Sequence, residues 1–214
     1  MTVAAVIVAG GRGVRFGGPK QFSQLGDETV AARSVRISRS VADFVVLVVP
    51  EEYEGFHEGA DAVVPGGDTR AASVRAGLKA LPDCDVVVVH DAARPMASAN
   101  LFAAVVNAVE AGADGAIPGL FVTDTVKRVV ARAGQSVVVG TVDRSDLVTV
   151  QTPQAFRRTV LERAHADLND ATDDAALVEA AGGTVVIVLG ESRNFKITDP
   201  SDLTRITALL EEDK

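Results

Sequence analysis

The chain has 214 residues, and its 47% hydrophobic and 23% charged residues are the proportions of a folded globular protein, which excludes a disordered or fibrous chain. A formal net charge of −8 has the wrong sign for a nonspecific binder of nucleic acid or anionic membranes, so we expect neither as a partner. One cysteine and three histidines cannot supply an intrachain disulfide or a Cys/His metal cage, and we expect a reducing, cytoplasmic location.

Valine-rich runs alternate with segments of helical pattern along the chain. Strands are predicted over residues 3–8, 44–49, 86–89 and 185–189, each bounded by Gly, Pro, Asp or charged residues. Helices are predicted over residues 29–40, 69–81, 99–111, 157–168, 173–181 and 200–212. The first apolar run leads directly into glycines and arginines, which is not typical of a signal peptide or a membrane span.

The alternation of strands and helices predicts an α/β protein. A Rossmann-like three-layer sandwich with a mostly parallel central sheet is the simplest architecture, and ligands bind such sheets at the carboxyl ends of the strands. Residues 119–150 depart from this rhythm, with short β-rich pieces separated by turn residues, and predict an inserted β-arm. We therefore expect a single domain over residues 1–214 that carries this arm.

A glycine-rich segment follows the first predicted strand. Residues 9–20 contain five glycines, three cations and no acid, a composition that favours close approach of the backbone to a phosphate. A dinucleotide fingerprint would need glycine at Phe16, and a P-loop would need Gly-Lys-Ser/Thr where Gly18-Pro19-Lys20-Gln21 stands. The segment therefore indicates a phosphate site of another kind, and its plain alternative is a tight turn with solvated arginines.

Two further segments suggest ligand contacts. Asp91 follows the strand predicted over residues 86–89, at an edge where a carboxylate can hold Mg²⁺ or order a substrate, and the planar fork of Arg94 can bind phosphate. The alternative is that Asp91 caps a turn and pairs with Arg94. Asp68 or Thr69 suits the N-cap of the helix predicted over residues 69–81, a structural role that is compatible with binding.

Taken in order, these segments resemble the 2-C-methyl-D-erythritol 4-phosphate cytidylyltransferase family, over most of the chain. The motifs that carry the resemblance are the glycine loop ending in Pro19-Lys20-Gln21, then Gly66-Gly67-Asp68, His90-Asp91-Ala92-Ala93-Arg94-Pro95, Asp124-Thr125-Val126-Lys127, Thr141-Val142-Asp143-Arg144, Gln151-Thr152-Pro153-Gln154, Thr172-Asp173-Asp174 and Phe195-Lys196-Ile197-Thr198.

The resemblance implies a homodimeric enzyme of the nucleotide-diphospho-sugar transferase type. Such an enzyme transfers CMP from CTP to the alditol phosphate with Mg²⁺ or another divalent cation, releases pyrophosphate, and serves non-mevalonate isoprenoid synthesis. By resemblance the catalytic residues are Arg15 and Lys20, and Asp91 is a candidate metal ligand. The implied CTP contacts are Ala9, Gly10, Gly11, Gly13, Gly67, Asp68 and Ser73. The implied alditol-phosphate contacts are Asp91, Arg94, Thr125, Arg144 and Lys196, with Arg144 carried on the arm and delivered across the dimer interface.

Two alternative functions remain open at this point. A cytidylyltransferase for ribitol 5-phosphate would share the phosphate-binding cations, and Val8-Ala9-Gly10-Gly11 resembles its version of the loop, whereas Ala93 and Asp143-Arg144 favour the methylerythritol substrate. A noncatalytic nucleotide-binding module of this fold would bind CTP without turnover. The presence of both Arg15 and Lys20 argues against that module.

Overall fold

A computed structural model of the chain describes residues 1–11, 13, 16–167 and 170–212. The strands are β1 (Val3–Val8), β2 (Gln24–Leu25), β3 (Glu28–Thr29), β4 (Phe44–Val49), β5 (Ala62–Pro65), β6 (Val86–Asp91), β7 (Gly115–Phe121), β8 (Val126–Arg132), β9 (Gln135–Val142), β10 (Val148–Val150), β11 (Gln154–Arg157) and β12 (Val185–Leu189). The α-helices are α1 (Val30–Ser38), α2 (Arg70–Lys79), α3 (Ala99–Glu110), α4 (Arg158–Ala164), α5 (Asp174–Ala180) and α6 (Pro200–Glu212). No helix in these described ranges is long and apolar enough to cross a membrane.

An eight-stranded sheet forms the middle layer. Its order is β10-β7-β11-β6-β1-β4-β5, with β12 paired to β7. The pairs β6–β1, β1–β4, β4–β5 and β12–β7 are parallel, whereas β11 and β10 run antiparallel to their neighbours. The carboxyl ends of β1, β4 and β6 therefore meet at one edge, where Val8 lies opposite Asp91.

Helices cover both faces of this sheet. Successive side chains of a strand point to opposite faces, so β1 sends Ala5 and Ile7 into a core shared with α1 and α3. Its alternate residues Ala4 and Val6 join a second core shared with α2, α4 and α5. These two cores make the predicted three-layer α/β sandwich, and the fold class is confirmed.

The structure contains strands that the sequence patterns did not predict. β5, β7 and β11 belong to the main sheet, and β2 pairs with β3 in a small ribbon. β7 includes Gly115, Pro118 and Gly119, residues that usually punctuate a strand, and β11 directly follows Pro153. The strand predicted over residues 86–89 continues to Asp91, and the helix predicted over residues 157–168 ends at Ala164.

The segment predicted as an arm divides between two sheets. Its first residues belong to β7, and its last residues form β10, which pairs antiparallel with β7 in the main sheet. Only β8 and β9 stand apart, as a two-stranded hairpin. Val129 and Val138 on that hairpin are 52% and 57% exposed, so it presents apolar side chains to solvent. The organisation as one domain with a dimerisation arm stays a prediction.

Helix α2 lies unusually close to the sheet at Gly77. A Cβ built there would lie 2.4 Å from Val6 Cγ1 and 3.1 Å from Val48 Cγ2, both on buried, stiff side chains. We expect Gly77→Ala to lower the free energy of unfolding by about 1–2 kcal/mol, because overpacking costs about 1–3 kcal/mol and the better helix propensity of alanine returns up to about 1 kcal/mol. Urea denaturation measures the change.

Gly55→Ala is the matched control for this prediction, because a Cβ at Gly55 meets nothing within 4 Å. We expect it to change the free energy of unfolding by less than about 0.5 kcal/mol. A Gly77→Ala protein as stable as the parent would contradict the close packing of α2.

Candidate active site

A cavity of about 740 Å³ opens at the carboxyl edge of the parallel strands. Four chain segments form its wall: the glycine-rich loop after β1, residues 50–52 after β4, the turn before α2 with the first turn of that helix, and the segment from Asp91 to Ala93. Lys196 and Thr198, which follow β12, close one side. Ten residues predicted to bind ligand line this cavity, namely Ala9, Gly10, Gly11, Gly13, Lys20, Gly67, Asp68, Ser73, Asp91 and Lys196.

A buried glutamine holds the glycine-rich loop. Gln21 donates its Nε2 to the carbonyl oxygens of Ala9 at 2.6 Å and Gly11 at 3.0 Å. Gly13 has a φ of +62°, and a Cβ there would lie 1.7 Å from the carbonyl oxygen of Gly18, so only glycine fits. The loop thus presents backbone and no bulky side chain to the cavity at these positions.

The turn before α2 places a second stretch of bare backbone beside the loop. A Cβ at Gly66 would lie 2.8 Å from Ser73 Oγ, and one at Gly67 would lie 2.5 Å from Ala72 Cβ. Ser73 Oγ accepts from the Gly67 amide at 3.2 Å, which ties this turn to the helix. Of the two candidate N-caps, the structure uses Thr69, whose Oγ1 accepts from Ala72 N at 3.1 Å. Asp68 lines the cavity instead.

Asp91, the last residue of β6, is buried between two cations. Its Oδ1 accepts from Arg70 Nε at 3.1 Å and its Oδ2 from Lys196 Nζ at 2.7 Å, while its backbone amide donates to Thr152 Oγ1 at 3.0 Å. Burial alone would raise the pKa of Asp91, but the charges of Arg70 and Lys196 outweigh burial and hold that pKa below its usual range. Asp91 is therefore ionised and fixed.

The interpretation that Asp91 pairs with Arg94 is not what the structure shows. Arg94 turns toward the segment after β12 and donates Nη1 to the carbonyl oxygen of Asn194 at 2.8 Å. The neighbouring His90 is fully buried against Phe102, and its Nδ1 lies 3.1 Å from Thr152 Oγ1. Burial lowers the pKa of His90 to about 4, so this imidazole is a neutral core group at neutral pH.

Beyond Arg70 the ion pairs continue out of the cavity. Arg70 donates Nη1 to Asp174 Oδ2 at 2.7 Å, and His165 Nε2 lies 2.9 Å from Asp174 Oδ1. Burial would lower the pKa of Arg70, but the negative charges of Asp174 and Asp91 reverse that effect and raise it. We call His165, Asp174, Arg70, Asp91 and Lys196 the polar chain.

Lys20 connects the loop to the same wall as Lys196. It begins a single 3-10 turn, Lys20–Phe22, and its Nζ donates to the carbonyl oxygen of Ile197, the residue after Lys196. Both lysines line the cavity, so they bring positive charge to it from two segments. Arg15, the other predicted catalytic residue, lies outside the described residues.

Three predicted alditol-phosphate contacts are not among the residues that line the cavity: Arg94, Thr125 and Arg144. Arg94 lies behind the wall, half-buried. Thr125 is exposed and directly precedes β8, and Arg144 is exposed two residues beyond β9, where its Nη1 donates to the carbonyl oxygen of Thr123. A single copy of the chain therefore does not bring the hairpin-borne residues to its own cavity.

Sequence reasoning missed three residues that organise the site: Gln21, Arg70 and Asp174. Gln21 and Asp174 lie within motifs of the family resemblance but carried no role there. Arg70 is the first residue of α2, next to the N-cap, and from this position alone its side chain would be expected to point into solvent. No local sequence signal marks Arg70, because the burial of its two acidic partners, Asp91 and Asp174, is visible only in the structure.

The described residues do not form a ready metal site. No group of three or more His, Cys, Asp or Glu side chains among them could hold a metal ion. Both carboxylate oxygens of Asp91 are engaged by cations, an arrangement that disfavours direct metal ligation. Metal ligation by Asp91 stays a prediction without support from this geometry.

The role of Gln21 in shaping the loop leads to a stability prediction. We expect Gln21→Glu to lower the free energy of unfolding by about 1–3 kcal/mol, because a carboxylate would replace the amide donor that faces two carbonyl oxygens in a buried position. Urea denaturation at neutral pH measures it. Gln24→Glu is the control, since Gln24 is exposed and should tolerate the change within about 0.5 kcal/mol. Equal losses of stability in the two variants would contradict a stabilising role for the buried hydrogen bonds of Gln21.

Comparison with known proteins agrees with the geometry. The sequence model of the 2-C-methyl-D-erythritol 4-phosphate cytidylyltransferase family matches residues 3–212. A relative of that name from Rhodococcus jostii is 44% identical, over 98% of this chain and 96% of its own length. The bifunctional enzyme IspD/IspF of an Anaeromyxobacter species is 46% identical over 98% of this chain, which spans only 57% of that relative's length.

A solved structure supports the same assignment. The crystal structure of 2-C-methyl-D-erythritol 4-phosphate cytidylyltransferase from Thermus thermophilus superposes with a TM-score of 0.81 at 36% identity, covering 99% of this chain and all of that one. The family match over residues 3–212 and the structural match over 99% of the chain agree. The chain belongs to the 2-C-methyl-D-erythritol 4-phosphate cytidylyltransferase family.

Proposed function

We propose that this protein transfers CMP from CTP to 2-C-methyl-D-erythritol 4-phosphate, forming 4-diphosphocytidyl-2-C-methyl-D-erythritol and pyrophosphate. The observation that carries the proposal is one cavity with two unlike walls. One wall is mainly glycine-rich backbone from the loop after β1 and the turn before α2, and the other carries Asp91 and Lys196. Family membership and the names of the relatives support the same reaction and its place in isoprenoid precursor synthesis.

The backbone wall is proposed to bind CTP. Positions where glycine alone fits, such as Gly13 and Gly67, let amide groups approach phosphates closely. Ser73 lies at the inner end of this wall, where its hydroxyl is already oriented by the turn. The residues assigned to CTP are Ala9, Gly10, Gly11, Gly13, Gly67, Asp68 and Ser73.

Transfer then needs charge stabilisation more than proton transfer. An oxygen of the acceptor phosphate attacks the α-phosphorus of CTP, the bond from that phosphorus to the bridging oxygen of the β-phosphate breaks, and pyrophosphate leaves with the electron pair. The acceptor phosphate is already anionic, so no side-chain base is required. Lys20 and Arg15 are proposed to stabilise the negative charge that develops on the transferring group.

The acceptor wall is proposed to bind the alditol phosphate through Asp91, Lys196 and Arg94. Thr125 and Arg144 would come from the hairpin of a second copy in a homodimer. Two observations support this: Arg144 is exposed and away from its own cavity, and the hairpin displays apolar side chains that a partner can cover.

We also propose that Mg²⁺ or another divalent cation accompanies the triphosphate and that the enzyme works in the cytoplasm. Mg²⁺ commonly uses substrate phosphates as ligands, and the triphosphate of CTP would supply them.

Pyrophosphate release with CTP and Mg²⁺ tests the proposed function. We expect turnover with 2-C-methyl-D-erythritol 4-phosphate to exceed that with ribitol 5-phosphate at matched concentrations. The reverse preference would keep the cavity and the chemistry but change the substrate. Binding of CTP without release of pyrophosphate from either acceptor would favour the noncatalytic module.

The proposed role of Lys20 predicts a large catalytic effect. We expect Lys20→Ala to lower kcat by about 100-fold or more, because one preorganised charge contact is worth about 3 kcal/mol in the transition state. Steady-state pyrophosphate release measures kcat. The control is Lys79→Ala, at an exposed lysine near the end of α2, which should retain wild-type turnover. A Lys20→Ala enzyme with near-normal kcat would refute the role.

The proposed delivery of Arg144 by a second copy predicts complementation. We expect Arg144→Ala to raise the KM for the alditol phosphate while the KM for CTP stays unchanged. The control is Arg132→Ala, at the other end of the hairpin, which should leave both KM values unchanged. At an alditol-phosphate concentration far below the raised KM, where each variant alone is nearly inactive, mixing the Arg144→Ala and Lys20→Ala proteins should restore about a quarter of the wild-type rate, because half of the dimers are mixed and each has one complete site. No restoration between variants that exchange subunits, or a monomer in light scattering, would contradict delivery in trans.

A further inference from the structure

The carboxylate of Asp174 lies outside the cavity but is joined to it by one guanidinium. Arg70 contacts Asp174 Oδ2 through Nη1 at 2.7 Å and Asp91 Oδ1 through Nε at 3.1 Å. Arg70 and Asp91 line the cavity, whereas Asp174 is fully buried behind them. We infer that Asp174 is a positioning residue for the acceptor wall, acting on the alditol phosphate only through Arg70 and Asp91. This inference rests on the proposed function.

Asp174 is itself held from two directions. It is the first residue of α5, whose N-cap Asp173 accepts from Ala176 N at 3.1 Å, and its Oδ1 lies 2.9 Å from His165 Nε2. Because a guanidinium is planar and rigid, fixing Nη1 also fixes the direction of the Nε–H bond. The backbone of α5 thereby sets the direction from which Arg70 approaches Asp91.

The direction of approach of Arg70 decides which oxygen of Asp91 each of the two cations contacts. Arg70 occupies Oδ1, which leaves Oδ2 for Lys196, whose side chain is 42% exposed beside the cavity. Without Asp174, Arg70 would keep Asp91 as its one acidic partner in the polar chain and would compete with Lys196 for both oxygens. Lys196 would then lose its fixed position on the acceptor wall, while the backbone wall assigned to CTP would be unchanged.

A purely structural role makes a different prediction. If the Asp174–Arg70 pair only fastens α5 to α2, its loss should lower stability and should affect both substrates alike. The positioning role instead separates the two substrates. The decisive quantity is therefore the KM for the alditol phosphate relative to the KM for CTP, and not activity alone.

The test compares Asp174→Asn with Asp173→Asn, a control one residue away on the same helix start. Asp173 accepts from Ala176 N and from Gln154 Nε2, and no contact with Arg70 is found within the described part of the chain; asparagine keeps an acceptor for the N-cap bond. We expect Asp174→Asn to raise the KM for 2-C-methyl-D-erythritol 4-phosphate by about tenfold or more, by analogy with residues that orient a ligating group, and to leave the KM for CTP within about twofold. Asp173→Asn should leave both values unchanged, and Asp174→Glu should recover part of the loss.

A second variant and a binding measurement complete the test. His165→Leu removes the contact on the far side of Asp174 at similar volume and should shift the same KM in the same direction, by less. Calorimetric titration of the alditol phosphate into wild-type and Asp174→Asn protein should show the same loss without turnover. Inactive wild-type protein would refute the proposed function, whereas a loss of alditol-phosphate binding confined to Asp174→Asn would still support positioning.

Three outcomes would overturn the inference. The first is a folded Asp174→Asn enzyme with both KM values unchanged, and the second is an equal rise in the two values. The third is failure of both Asp174→Asn and His165→Leu to fold, which would show that the Asp174–Arg70 ion pair serves to hold α5 against α2.

Discussion

The site depends on one buried carboxylate held between two cations. Asp91 lies at the end of β6, where the parallel register with β1 brings it beside the glycine loop, and its oxygens bind Arg70 and Lys196. Loss of either cation would leave the buried carboxylate with one charged partner, and loss of both would leave its charge uncompensated, which is strongly destabilising. The start of α2, the end of β6 and the segment after β12 are therefore held together by charge as well as by packing.

This arrangement explains how the cavity can support phosphoryl chemistry without a side-chain base. Its two walls differ in kind: one offers close backbone approach, and the other offers fixed charges. Lys20 and Lys196 are far apart in sequence, yet both line the cavity. Lys20 donates to the carbonyl oxygen of Ile197, so the segment after β12 holds both lysines in place. Chemistry of this type depends on the positions of the charged groups around the reacting atoms. We infer that Asp174, outside the cavity, helps to set these positions through Arg70 and Asp91.

Much of the fold and part of the site could be predicted because their signals are local. The valine-rich run of β1, the glycines after it and the acid at the end of β6 can each be recognised from a few neighbouring residues. β7 could not be predicted because Gly115, Pro118 and Gly119 interrupt its pattern, although burial between neighbouring strands overrides them. Arg70 and Asp174 were missed for another reason: their pairing spans 104 residues of sequence and exists only once α2 and α5 pack on the same face.

In the proposed reaction the acceptor phosphate itself attacks the α-phosphorus, without an intermediate on the protein. The stereochemical course at that phosphorus tests this most directly, using one diastereomer of CTP with sulfur in place of a nonbridging α-oxygen and the methylerythritol phosphate as acceptor. A single in-line displacement predicts inversion of configuration in the product. Retention would show two successive displacements through a covalent intermediate on the protein and would contradict the account.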